Sequence, residues 1–146
     1  IATNNGAGIL AGDYAVVSGC IARFNSGAGV AAGFGSVMTE CVAGGNIGDG
    51  LFISSGSLSH CSSQANGGNG VESFRGVIAF TSSMGNKGDG FNTDEATTLI
   101  GNVARQNGGD GIEAGDSLIS NNTSIGNAGA QIEDFATGTE VDNHAP

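Results

Sequence analysis

Apolar residues recur in this chain at a nearly constant interval. One column reads Ile9, Val30, Leu51, Val71, Phe91, Ile112 and Ile132; a second reads Val17, Met38, Leu58, Ile78, Leu99, Ile119 and Val141. Three residues beyond the second lie Cys20, Cys41, Cys61, Thr81, Asn102, Asn122 and His144. Two further on lie Ala22, Ala43, Ser63, Ser83, Ala104 and Ser124. Each residue of the first column closes a motif, Asn-x-Gly-x-Gly, that begins at Asn4, Asn25, Asn46, Asn66, Asn86, Asn107 and Asn127, in steps of 20 or 21 residues. Only Gln131 replaces the second glycine. Such regularity predicts one structural unit stacked on itself. Helices fit poorly, because each internal glycine costs a helix about 1 kcal/mol. Three short strands separated by glycine-rich bends fit well.

Coils of this kind stack about 4.8 Å apart, so like residues sit above like. Aliphatic side chains then fill the interior, and buried asparagines hydrogen-bond from rung to rung. The N-x-G-D-G-apolar runs at Asn46–Leu51, Asn86–Phe91 and Asn107–Ile112, with Ile119-Ser120-Asn121-Asn122-Thr123, carry a resemblance. They resemble the right-handed parallel β-helix repeat of the pectate-lyase-like superfamily. That resemblance implies an all-β solenoid of about seven coils with 20–21-residue rungs. The superfamily holds lyases, hydrolases, epimerases, tailspikes, adhesins and non-catalytic surface modules, so the resemblance implies architecture more than activity.

Composition narrows the partners. The chain has 4 Lys plus Arg against 14 Asp plus Glu, a net charge of −10, which argues against nucleic acid and anionic membrane surfaces. No apolar run approaches the roughly 20 residues that span a bilayer. Residues 1–146 are read as a single β-helix domain, a fragment or module of a larger secreted, cell-surface or virion-surface protein. Ile1 is read into the small-residue column, so both ends are expected to be uncapped, which favours continuation or end-to-end stacking. The cysteines share one column and lack the short local pairs of metal sites. They are expected to be interior thiols, with one pair close enough to oxidise.

Side chains alternate along a strand, so the residue after the first apolar column points outward. That outward column reads Leu10, Ala31, Phe52, Glu72, Asn92, Glu113 and Glu133, and the bend before it supplies Asp49, Asn69, Asp89 and Asp110. Asp89, Asn92, Asp110, Glu113 and Glu133 are therefore the candidate ligand or cation site. Their oxygens suit hydroxyl-rich sugars or a weakly held Ca²⁺; the other reading is a solvated acidic face. No other cofactor is expected. A second outward column contains Val16, Val37, Val77 and Leu118, an interface candidate for another protomer or domain.

Catalytic signals are sparse. Asn92-Thr93-Asp94 is similar to a polygalacturonase tripeptide, but it stands alone. Of the three arginines, Arg75 lies best, near Glu72 and Asp94–Glu95; Arg23 and Arg105 share a different column. His60 is expected to point out where Cys61 points in, and no tryptophan is present to stack a sugar. The expectation is a non-catalytic β-helical module presenting an extended surface for glycan or protein binding or for structural assembly. The alternative is a polysaccharide-active lyase, hydrolase or epimerase.

Overall fold

The computed structural model describes residues 1–146 as a right-handed parallel β-helix with no helical segment. Twenty-one short strands form three parallel sheets of seven strands each. Sheet A runs from Ala2–Thr3 to Thr123–Ile125, sheet B from Ile9–Ala11 to Ile132–Asp134, and sheet C from Val16–Ser18 to Thr139–Val141. Every strand pairs with its counterparts one coil away, as in Val71 between Leu51 and Phe91. This register places each sequence column in one line of side chains.

The interior follows from that stacking. Val30, Leu51, Val71, Phe91 and Ile112 enter from sheet B, and Val17, Met38, Leu58, Ile78, Leu99 and Ile119 from sheet C; all are buried. Sheet A contributes only Ala22, Ala43, Ser63, Ser83, Ala104 and Ser124, so small side chains face the aliphatic columns of the other two sheets. Burying each aliphatic side chain contributes about 1.5–3 kcal/mol.

Two polar ladders seal the corners. Between sheets A and B, the amide oxygen of each asparagine from Asn46 to Asn127 accepts both the backbone N–H and the side-chain amide of the one before it. For Asn66 on Asn86 these bonds are 3.0 and 2.9 Å. Between sheets C and A the ladder is mixed. The N–H of Cys41 donates to Cys61 Sγ, that of Cys61 to Thr81 Oγ1, that of Thr81 to Asn102 Oδ1, and that of Asn102 to Asn122 Oδ1. Thiol, hydroxyl and amide thus occupy one column because each accepts the same bond. All three cysteines are free; Cys41 and Cys61 are buried and Cys20 is half-buried.

Every ladder residue follows a residue in the left-handed region. At the A–B corner these are Asn4, Phe24, Gly45, Ala65, Gly85, Gln106 and Gly126, with φ between 54° and 70°. At the C–A corner they are Gly19, Glu40, His60, Phe80, Gly101, Asn121 and Asp142. The left-handed residue turns the chain, and the next side chain swings inward. Phe24 and Phe80 fit there because their rings lie over Gly45 and Gly101 of the next coil, and Tyr14, left-handed at the corner between sheets B and C, lies over Gly35 in the same way.

The terminal coils depart from the expected alignment. Asn5, not Asn4, donates to Asn25, so the bend from the ladder asparagine to Ile9 is one residue shorter than the bend from Asn25 to Val30. Ala2, not Ile1, pairs with Ala22, and Ile1 is exposed. In the last coil Glu140 aligns with Ile119 and Asn143 accepts from Asn122, displacing Val141 and His144 by one place. Gln131 is not a defect of the motif. Its Oε1 accepts the N–H and the amide of Asn127, so its side chain ends the asparagine ladder where another asparagine would stand.

Candidate functional site

The outer face of sheet B gathers the acidic residues that the column pattern places there. Asp89 and Asp110 stand at the bend before the strand; Asn92, Glu113 and Glu133 stand on successive strands, in register. The amide of Asn92 donates to Asp89 Oδ2 at 3.2 Å and to Glu113 Oε2 at 2.8 Å. Carboxylate oxygens of Asp89, Asp110 and Glu113 all lie within 4.8 Å of one another. Burial, then the hydrogen bond and charge of Asp89, push Glu113 above the ordinary carboxylate range. Glu133 is exposed at the rim and adds to that charge.

The bend residues also have a structural task. Asp49 Oδ1 accepts the N–H of Asn69, Asn69 Oδ1 that of Asp89, Asp89 Oδ1 that of Asp110, and Asp110 Oδ1 that of Ala130. This is a third ladder, on the outside of the coil. It explains the motif's first glycine: a Cβ at Gly88 or Gly109 would collide with the carboxamide or carboxylate oxygen of the coil before. The ladder uses Oδ1 of Asp89 and Asp110, while Asp89 Oδ2 and Glu113 Oε2 accept from the Asn92 amide and Asp110 Oδ2 lies outside the ladder. Three such carboxylates can supply part of the oxygen shell of a hard cation.

The same columns produce a second pair that the sequence reading passed over. Glu72 lies against Asp49, and burial, then the charge of Asp49, raise its pKa; Asp94 adds to the effect. The shared columns of Asp49 with Asp89, and of Glu72 with Glu113, were the available signal.

The remaining candidates separate. Thr93 is buried, so Asn92-Thr93-Asp94 straddles the wall and cannot act as one group. Arg75 is bound to Glu95 at 2.9 Å and is largely exposed. Arg23 and Arg105 lie on sheet A, another face. His60 stacks on Phe80 at 5.5 Å outside the wall while Cys61 points in. Val16, Val37, Val77 and Leu118 are all exposed along the outer face of sheet C. The next outward column on that face, Ser18, Thr39, Ser59, Ala79, Ile100, Ser120 and Val141, carries no charge either.

These features define a right-handed parallel β-helix repeat protein with an acidic face and an uncharged face. No protein-family model matches the chain, and no curated protein matches it. Among solved structures, a double mutant of the periplasmic alginate epimerase AlgG is similar over 99% of this chain, with a TM-score of 0.85 and 13% identity. The A-module of the Azotobacter vinelandii mannuronan C-5 epimerase AlgE4 is similar over 88%, with a TM-score of 0.65 and 12% identity. At such identity the likeness shows the fold. The chain spans 42% and 52% of those two chains. No helix is long and apolar enough to cross a membrane.

Proposed function

We propose that this chain is a non-catalytic β-helical module of a secreted or surface-exposed protein, presenting its flat faces to glycan or protein. The observation that carries this reading is the outer ladder on sheet B. Asp89 and Asp110 are engaged in holding successive coils, and they share one outer face with Asn92, Glu113 and Glu133. The result is a row of polar acceptors repeating at the rung spacing, suited to a polymer of hydroxyl-bearing units or to a bridging Ca²⁺. The uncharged stripe of Val16, Val37, Val77 and Leu118 is proposed as the contact for a second protomer or a neighbouring domain.

One observation favours the alternative, a polysaccharide-active enzyme. Glu113, raised by burial and by its neighbour Asp89, stands in a close pair of carboxylates, and polysaccharide-cleaving enzymes work with two carboxylates flanking the bond. A glycan array run beside depolymerisation and epimerisation assays separates the readings. The module reading expects binding without turnover, weakened by the double change Asp110→Ala and Glu113→Ala. Product formation lost on Glu113→Gln would overturn it. Calcium is expected to raise the Tm of the parent chain but not of the double variant; no calcium effect on the parent leaves the row without its cation.

A further inference from the structure

We propose that the cleft at the corner between sheets B and C, lined by Phe74, Arg75, Asp94, Glu95 and Phe135, binds a glycan of free amino sugars, a polymer whose hexosamine units carry ammonium groups. The inference rests on the glycan-presenting reading above and adds the place and the class of glycan.

The cleft is open and has a volume of about 540 Å³, within the range of small-ligand sites. Its two rings mark its ends. Phe74 belongs to the fourth coil and Phe135 to the seventh, so they stand about 14 Å apart along the axis at roughly 4.8 Å per rung. Both rings are exposed, Phe74 by 42% and Phe135 by 57%. Both are also held. Phe52 meets Phe74 edge-on at 5.7 Å. Phe135 lies down over Gly115, where any Cβ would come within 2.7 Å of its Cε2. Exposed rings fixed at both ends of a polar trough suit the apolar faces of pyranose rings.

The chemistry between the rings selects the ligand. When ionised, Asp94 and Glu95 accept hydrogen bonds and cannot donate them. Arg75 gives one N–H to Glu95 at 2.9 Å and keeps its other N–H groups. With Asp94 and Glu95 against one guanidinium the cleft is net negative, so a ligand that brings donors and positive charge is favoured over one that brings carboxylates. Hydroxyl and ammonium groups supply them, and an ammonium also gains from a phenylalanine face. A polyuronate would instead bring carboxylates against Asp94 and Glu95 in a chain of net charge −10.

The acidic surface continues beyond the cleft. Asp94 is close enough to Glu72 for its charge to act there, and Glu72 stands in register with Asn92 and Glu113. A polymer leaving the cleft therefore meets a carboxylate or amide on each of the last four coils, at Glu72, Asn92, Glu113 and Glu133. That repeat matches an ammonium on every sugar of an extended chain. The other cleft, on sheet A around Phe24 and Gly44, is smaller at about 230 Å³ and has no carboxylate.

Titration calorimetry on the full chain tests this with three probes of equal length: a glucosamine hexamer, its fully N-acetylated form and an oligogalacturonate. The glucosamine hexamer is expected to bind at least about tenfold more tightly than its acetylated form, because acetylation removes the charge. Phe74→Ala with Phe135→Ala is expected to weaken it about tenfold. Asp94→Asn with Glu95→Gln is expected to do the same and to flatten the salt dependence. All four residues are exposed or rim positions, and an unchanged Tm confirms intact folding. Glucosamine binding that survives both double variants is general polycation attraction and overturns the cleft. Preference for the acetylated or the uronate probe overturns the ligand class while the glycan-presenting reading stands. Binding of none of the three, with glycan binding found elsewhere on the array, overturns this inference alone; a blank array overturns both.

Discussion

Replacing Asn86 with alanine tests the inner ladder where it is most enclosed. Asn86 is 2% exposed. Its Oδ1 accepts the backbone N–H and the amide of Asn66, and its own amide donates to Ser83 Oγ at 2.9 Å and to Asn107 Oδ1 at 3.0 Å. Alanine removes all four bonds. Asn107 Oδ1 still accepts the backbone N–H of residue 86, and one hydrogen of the Asn66 amide still has Ser63 Oγ. One buried donor, the Asn66 N–H, is left without a partner, while the Asn66 amide keeps Ser63 Oγ and a longer bond to the Ala43 carbonyl at 3.4 Å. The unpaired donor costs about 1–3 kcal/mol and the lost amide bonds about 0.5–1.5 kcal/mol each, so the loss should be about 4 kcal/mol. That is a large share of the roughly 5–15 kcal/mol that stabilises a domain. Urea unfolding followed by far-UV circular dichroism measures it, with exposed Gln64→Ala as a control expected to cost less than about 0.5 kcal/mol. Gln131→Ala should fall between the two, because Gln131 is only half-buried and water can reach Asn127. If Asn86→Ala costs no more than Gln64→Ala, the ladder is not what holds the coils in register.

Other expectations follow from single contacts. Gly70→Ala should destabilise strongly, because the new Cβ meets Ser83 Oγ and comes within 2.7 Å of Asn86 Nδ2 and the Gly90 carbonyl; Gly85→Ala meets nothing and should cost only the left-handed backbone penalty of about 1–2 kcal/mol. In native thiol labelling Cys20 should react first and Cys61 last, since the hydrogen bond with Cys41 and then burial push the Cys61 thiol up; equal fast labelling of all three would count against the buried column. Glu72 and Glu113 have raised pKa values, so the stability they confer is fully present below the ordinary glutamate value of about 4.3 and is lost as pH rises through the raised values. Acidifying from neutral should therefore raise the Tm, and Glu72→Gln with Glu113→Gln should flatten that rise; a parent Tm that falls steadily on acidification would show that these two carboxyls are not destabilised in the fold.

The architecture was legible because it repeats. A 20–21-residue period, with apolar residues at two fixed offsets and glycine at two others, leaves stacked coils as the arrangement that buries every aliphatic side chain at once. The grouping of Asp89, Asp110 and Glu113 was legible for the same reason, since neighbours in a column are neighbours in space. What does not repeat had to wait for the tertiary structure. The left-handed residue before each ladder position is Asn, Phe, Gly, Ala or Gln at one corner alone, because the backbone needs the conformation and not the side chain. The slipped alignments at Asn5, Ala2, Glu140 and Asn143 follow local loop lengths that the columns cannot register. The outward ladder of Asp49, Asn69, Asp89 and Asp110 mixes acid and amide, so composition concealed one shared role, accepting the N–H of the next coil. Phe74, Asp94, Glu95 and Phe135 share no motif. They form one cleft only because a bare glycine at position 115 lets the Phe135 ring lie along the corner, a direction set by packing between coils and not by the order of residues within them.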